Sequence, residues 1–153
     1  MLILCLLFLK NKPLIWTLHD QQSFTGHCAW TYNCEKWQTK CKNCHNLKEY
    51  PKISKDTTAF LFETKKLVYK IIKPTIICPS DWLKQKAEKS ILAQFDIRQI
   101  NNGVDENLFK PYDKRQARNE LNLPLDKTIL FFSSDGSLTN PAKGGEYIQK
   151  AYE

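Results

Sequence analysis

Apolar residues gather along this chain in short runs separated by polar stretches. Leu14 to Leu18 combines the β-branched Ile15 and Thr17 with Trp16, between Pro13 and the polar pair His19 and Asp20, which predicts a buried strand. From Asp56 the period lengthens. Phe60, Leu61, Leu67, Val68, Ile71 and Ile72 recur at helical spacing with Lys65, Lys66 and Lys70 between them, and Pro74 ends the helix. TIICP (75–79) predicts a second buried strand. Ser80 is placed to cap the helix DWLKQKAEKS, because its hydroxyl can accept from the first free backbone amides.

IRQI (97–100) predicts a third strand, and NNGVDENLFKP after it reads as a linker. Asn102 and Gly103 mark a turn that needs positive φ, and Pro111 ends the extended run. Asp113 then caps a short helix, with Gln116 completing a capping box and Ala117 and Leu121 on the inner face. TILFF (128–132) has the clearest strand pattern of all and leads through SSDGSLTNPAKGG to the helix start EYIQKAYE. Strand, cap and helix in succession are the grammar of an α/β fold.

The stretch at 19–55 fits neither period. Structureless loops beyond about 15 residues are usually functional or stapled, so something must hold this one together. It contains HDQQSFTGHCAWTYNCEKWQTKCKNC, in which Cys41 and Cys44 form a C-x-x-C knuckle preceded by Cys28 and Cys34. The knuckle lets two thiolates share a tetrahedral ion, while the first pair is spaced more loosely than in a zinc finger. A structural zinc on Cys28, Cys34, Cys41 and Cys44 is favoured, with paired disulfides and free thiols as the alternatives. His27 and His45 can each stand in for a cysteine, although flanking histidines are more often solvated or structural. A redox C-x-x-C is disfavoured, since no helix N-terminus follows to lower a thiol pKa. Cys5 and Cys78 have apolar neighbours and are expected to be buried thiols.

Composition narrows the class. At 42% hydrophobic and 25% charged over 153 residues, the chain is globular in character, one domain or two small halves, and neither disordered nor fibrous. Its net charge of +7 favours anionic partners such as phosphates, nucleic acid or an acidic membrane face. The opening MLILCLLFLK has an apolar run of eight residues after Met1. That is far short of the roughly 20 needed to span a bilayer, and the run lacks the basic start and small-residue cleavage site of a secretory signal. A reducing compartment is therefore expected.

Three further features carry candidate chemistry. His19 stands where a parallel strand would end, and open α/β sheets bind ligands beyond the carboxyl ends of their strands, although a histidine bonded to a nearby loop is an equal alternative. Trp30, Tyr32 and Trp37 either stack on a sugar or, more commonly for such residues, cover the loop. Lys143, Gly144 and Gly145 precede a helix, where amides, dipole and ammonium act together on a phosphate or diphosphate, though no Walker or G-x-G-x-x-G pattern is present.

Taken in order, TLHDQQSFTGHCAW, NCEKWQTKCKNC, ICPSDWL, INNGVDENLFKP and TILFF with NPAKGGEYI resemble the bacterial family 4 glycosyltransferases, in particular the branch that builds surface polysaccharides. The resemblance runs from Pro13 onward. It implies a GT-B architecture of two Rossmann-like domains facing a cleft, and transfer of a sugar from a nucleotide donor with retention of configuration. On this footing the chain is an α/β internal segment. Residues 1–110 are the later part of the acceptor-side domain, with the cysteine-rich loop at 19–55, and residues 111–153 open the donor-binding domain with one β-loop-α unit.

By motif, the resemblance makes His19 and Asp20 the catalytic pair beside the donor sugar. It makes Ser80, Lys143 and Gly144 donor-binding residues, and Asn102, Gly103 and Asp105 the segment before the interdomain crossover. It implies a nucleotide-sugar donor, a glycan or lipid-linked acceptor, no cofactor for catalysis and no nucleic acid. It also implies a cytoplasmic site, with the charge suited to peripheral contact at the anionic inner face of the membrane. The family's glycine-rich loop would precede Met1 and its paired glutamates would follow Glu153. With both outside the sequence, the isolated chain is expected to be inactive, and Ser133 and Ser134, which stand where a basic residue is often found, count against full diphosphate binding. Two competing readings are a small zinc module contacting nucleic acid, which the scattered lysines disfavour, and a non-catalytic structural remnant.

Overall fold

Thr75–Cys78 is the strand around which the first part of the chain is organised. The structure, a computed structural model, describes residues 5–134 and 143–152. These form two compact units, one up to Val104 and one from Asp105, and each is described by itself.

In the first unit β1 (Ile15–Thr17), β2 (Thr75–Cys78) and β3 (Ile97–Gln99) form a parallel sheet in the order β1-β2-β3, with Ile15 opposite Thr75 and Ile76 opposite Ile97. Parallel neighbours need long crossovers, and helix α1 (Thr58–Ile72) lies in the one from β1 to β2. Its end is set by Lys73, which adopts a left-handed φ of 46° and donates its amide to Tyr69 O just before Pro74. Helix α2 (Asp81–Ala87) packs on β2 and β3, and its cap is the expected one: Ser80 Oγ accepts from the Leu83 amide at 3.3 Å. The chain is thus α/β, with a three-stranded parallel sheet of Rossmann-like character.

The core joins Leu18, Phe62, Val68, Tyr69, Ile72, Ile76, Leu83 and Leu92 to two loop residues, Phe24 and Trp37. The stretch at 19–55 is therefore no external appendage. Two 3-10 turns, Gln22–Phe24 and Lys36–Gln38, deliver those rings, whose centroids lie 5.3 Å apart. Tyr69 Oη donates to Ser23 O at 2.6 Å, and Lys65 Nζ donates to Thr25 O at 2.9 Å and to Gln22 O. All three acceptors are loop carbonyls, which α1 thereby satisfies.

Several expectations are corrected. The first strand is not buried: Ile15 is 71% exposed, because side chains alternate across the pleat and among the described residues only the Trp16 face is covered, by Tyr69 at a ring distance of 5.6 Å. On α1 the buried stripe is Thr58, Phe62, Tyr69 and Ile72 with Val68, while Phe60, Leu67 and Ile71 are exposed. Neither Asn102 nor Gly103 takes a positive φ, and a Cβ on Gly103 would meet nothing within 4 Å, so that bend does not require glycine. Cys5 is exposed, whereas Cys78 is buried as expected.

In the second unit α3 (Lys114–Glu120) begins at Asp113, whose carboxylate accepts from the Gln116 amide at 2.7 Å. The box is half made, because the Gln116 side chain donates forward to Glu120 rather than back to the cap. No residue of α3 is buried and Leu121 is 67% exposed, so the expected inner face is not covered. Residues 128–132 form no strand: among the described residues this unit offers no second strand, and a ladder needs a partner. Of the loop expected at 133–145, residues 135–142 lie outside the described residues, as do residues 1–4 of the opening apolar run. Helix α4 (Gly145–Tyr152) follows Gly144, which has φ 71°.

Candidate functional site

Because β1, β2 and β3 are parallel, their carboxyl ends share one edge of the sheet. His19 and Asp20 follow β1, Ser80 follows β2, and Asn102 and Gly103 follow β3, so the topology assembles on one rim residues that lie far apart in sequence. His19 is exposed, and its ring makes no hydrogen bond to the described residues. Asp20 shapes the backbone instead. Its Oδ1 accepts from the Gln22 amide at 2.8 Å, an Asx turn that starts the loop. The Ser80 hydroxyl is exposed, and while it accepts from Leu83 its own proton remains available to a ligand.

The remaining sequence-derived residues belong to the second unit. Asp105 Oδ1 accepts from the Asn107 amide at 2.9 Å. Lys143 is exposed just ahead of α4, where free amides and the helix dipole suit an anion.

The cysteine loop follows His19 and Asp20 in the chain. Cys28 is buried, Cys34, Cys41 and Cys44 are partly buried, and none of the six cysteines is in a disulfide. His27, Cys28 and Cys44 bring their ligand atoms within 4.8 Å of one another. Cys34 and Cys41 line the same small cavity of about 20 Å³. His45 lines it too, although it is exposed.

Burial at this cluster disfavours the charged forms of its titratable groups. Burial, reinforced by the neighbouring Cys44 and Cys41, pushes the Cys28 thiol up to about 12, and burial likewise raises Cys41. Lys65 is held down to about 8 by burial, against the pull of Cys41 and Asp20. Asp56 ties the cluster to α1: Oδ2 accepts from the Cys44 amide at 2.8 Å and Oδ1 from the Thr58 amide at 3.0 Å. The Thr58 hydroxyl bonds it as well, and these donors hold the Asp56 carboxyl below its usual range.

The aromatic residues divide. Trp37 is buried, packs on Phe24 and donates Nε1 to Cys34 O at 2.7 Å, and Trp30 stacks with Tyr50 at 5.9 Å, so both cover the loop. Tyr32 is exposed beside a cleft of about 420 Å³ that it shares with Trp82 and Lys86. The Lys86 ammonium sits 5.2 Å from both the Trp37 and the Trp82 ring.

Sequence reasoning missed Lys65 and Gly26. Lys65 falls on the buried stripe of α1, between Phe62 and Tyr69, which was the available signal. Gly26 is required by close approach: a Cβ there would stand 2.6 Å from Thr58 Cβ and 3.0 Å from Cys41 Cβ.

No protein-family model and no solved structure matches the chain. Over 102 residues, 63% of this chain, it is 37% identical to a protein of Escherichia coli (strain K12) named "Putative colanic acid biosynthesis glycosyl transferase WcaC". The match covers 25% of that protein, so the chain spans about a quarter of the length of the curated relative it matches. The similarity supports a relationship to glycosyltransferases.

Proposed function

We propose that the chain forms part of a glycosyltransferase that moves a sugar from a nucleotide donor to a glycan or lipid-linked acceptor, with retention of configuration, in the GT-B arrangement of the family 4 enzymes. The observation that carries this reading is the 37% identity over 102 residues to a protein named as a glycosyl transferase. The parallel sheet agrees with it, because its carboxyl rim presents an exposed imidazole, a carboxylate and a hydroxyl where such sheets hold their ligands.

In this reading His19 lies beside the donor sugar, Asp20 shapes the turn that aims it, and the Ser80 hydroxyl donates a hydrogen bond to the nucleotide sugar. Lys143 and the amide of Gly144 serve the diphosphate, where charge develops as the glycosidic bond breaks. Asn102, Gly103 and Asp105 carry the chain across to the donor side. The reaction takes place at the cytoplasmic face of the membrane, to which the charge of +7 is suited. No described helix is long and apolar enough to cross a membrane.

The test is transfer of labelled sugar from a panel of nucleotide sugars to lipid extract, using the polypeptide that carries this chain as its gene expresses it. Label reaching the lipid fraction, with a loss of at least about 100-fold in His19→Ala, is the expected result. Equal rates in the two proteins sink the role of His19, and no transfer from any donor sinks the function.

A further inference from the structure

We propose that the cysteine-rich loop binds one zinc ion through His27 Nε2 and the thiolates of Cys28, Cys41 and Cys44, so that a histidine takes the place a fourth cysteine was expected to fill. This goes beyond sugar transfer and does not depend on it.

The geometry is that of ligands around an ion. A tetrahedral zinc with Zn–S of about 2.3 Å and Zn–N of about 2.05 Å holds its sulfur and nitrogen ligands about 3.6 Å apart. Cys44 Sγ stands 3.6 Å from His27 Nε2, and Cys28 completes a trio within 4.8 Å. The tautomer agrees. His27 Nδ1 lies 3.1 Å from Pro51 O, which can only accept, so Nδ1 carries the proton and Nε2 presents its lone pair toward Cys44. A backbone carbonyl fixing one ring nitrogen while the other faces the metal is the usual support for a ligating histidine.

Cys41 is not one of that trio; it is assigned as the fourth ligand because it lines the same cavity and its C-x-x-C spacing from Cys44 lets both reach one ion. Its Sγ accepts the Gly26 amide at 3.2 Å, as Cys44 Sγ accepts the Asn46 amide at 3.4 Å, and amide donors of this kind stabilise thiolate ligands. The bond to Cys41 exists only because Gly26 has no Cβ. The cavity of about 20 Å³ has room for a particle the size of one water, hence an ion and no organic ligand.

Three sulfurs and one imidazole in a tetrahedral set select zinc among common divalent ions. Binding deprotonates the three thiols and leaves the centre with a net charge of −1, faced by the ammonium of Lys65. The ion would lock His27 to Cys44, and with them the loop that delivers Phe24 and Trp37 to the core.

The test is metal analysis of the purified chain, followed by replacement of the metal with cobalt(II) and absorption spectroscopy. The expected result is about one zinc per chain after desalting, and cobalt bands of three thiolates and one nitrogen. His27→Ala and Cys41→Ser should each weaken zinc at least about tenfold while Cys34→Ser retains it. Less than about one tenth of a zinc per chain, or mass spectrometry finding these cysteines in disulfides, overturns the site. A four-sulfur cobalt spectrum overturns the role of His27, and it is read on the unmutated chain, so failure of a variant to fold does not blunt the test. Zinc kept by Cys41→Ser but lost by Cys34→Ser overturns the choice of Cys41.

Discussion

TIIC at 75–78 and TILFF at 128–132 carry almost the same apolar, β-branched signal and have opposite structures. The first is the central strand. Its backbone bonds to both neighbours, with the Ile76 amide on Asp96 O at 2.8 Å and Ile77 O accepting the Leu18 amide at 2.8 Å, and Ile76 and Cys78 are fully buried. The second has no strand partner among the described residues, and Leu130 and Phe131 are 69% and 85% exposed. Strand propensity states that a segment fits a pleated, half-buried surface; it does not supply that surface.

The contrast can be broken most forcefully at Ile76. Ile76→Ala should destabilise the first unit by about 2–5 kcal/mol, through lost burial and the cavity left behind, read as a lower urea midpoint. A smaller loss, about 1–3 kcal/mol, is expected for Lys65→Met, because the Gln22 and Thr25 carbonyls would lose their donor; the same urea titration measures it. Ser80→Ala should cost about 1 kcal/mol through the lost cap, and more rapid exchange of the Leu83 amide would mark the cause. At the other pole, Leu130→Ala should change stability by no more than about 0.5 kcal/mol. Hydrogen exchange sharpens the comparison without mutation: the amides of Leu18, Ile76 and Ile100 should be protected and those of residues 129–131 should exchange quickly.

What could be read in advance follows the range of the interaction. The caps at Ser80 and Asp113 were legible because donor and acceptor lie three residues apart. Helix α1 was legible as a helix, but not its inner face. It bears two apolar stripes, one through Phe62, Tyr69 and Ile72 and one through Phe60, Leu67 and Ile71, and only packing against the loop selects the first. Lys65 stayed hidden for the same reason, since a lysine between apolar residues reads as solvated until the carbonyls it meets are known.

The candidate site shows the same division. The four cysteines of the loop announced a shared role by their number and spacing, whereas the nearness of His27 Nε2 to Cys44 depends on a carbonyl at Pro51, 24 residues from His27. Trp37 reads from sequence as a sugar platform or a cover for the loop, and its place in the core is set by the 3-10 turn at Lys36–Gln38, which turns it inward against Phe24.

By itself, the amino-acid sequence determined the helix starts after Ser80 and Asp113 and the helix end before Pro74, which runs are able to become strands, and that something must hold the stretch at 19–55 together. Those properties depend on backbone groups and side chains within about a turn of one another. Tertiary structure alone decided, among the described residues, that β2 is central and 128–132 unpaired, that β1 is an edge, and that His19, Ser80 and Asn102 share one rim. Each of those facts needs a partner supplied from a distant part of the chain, and a local pattern can specify readiness to pair without naming the partner.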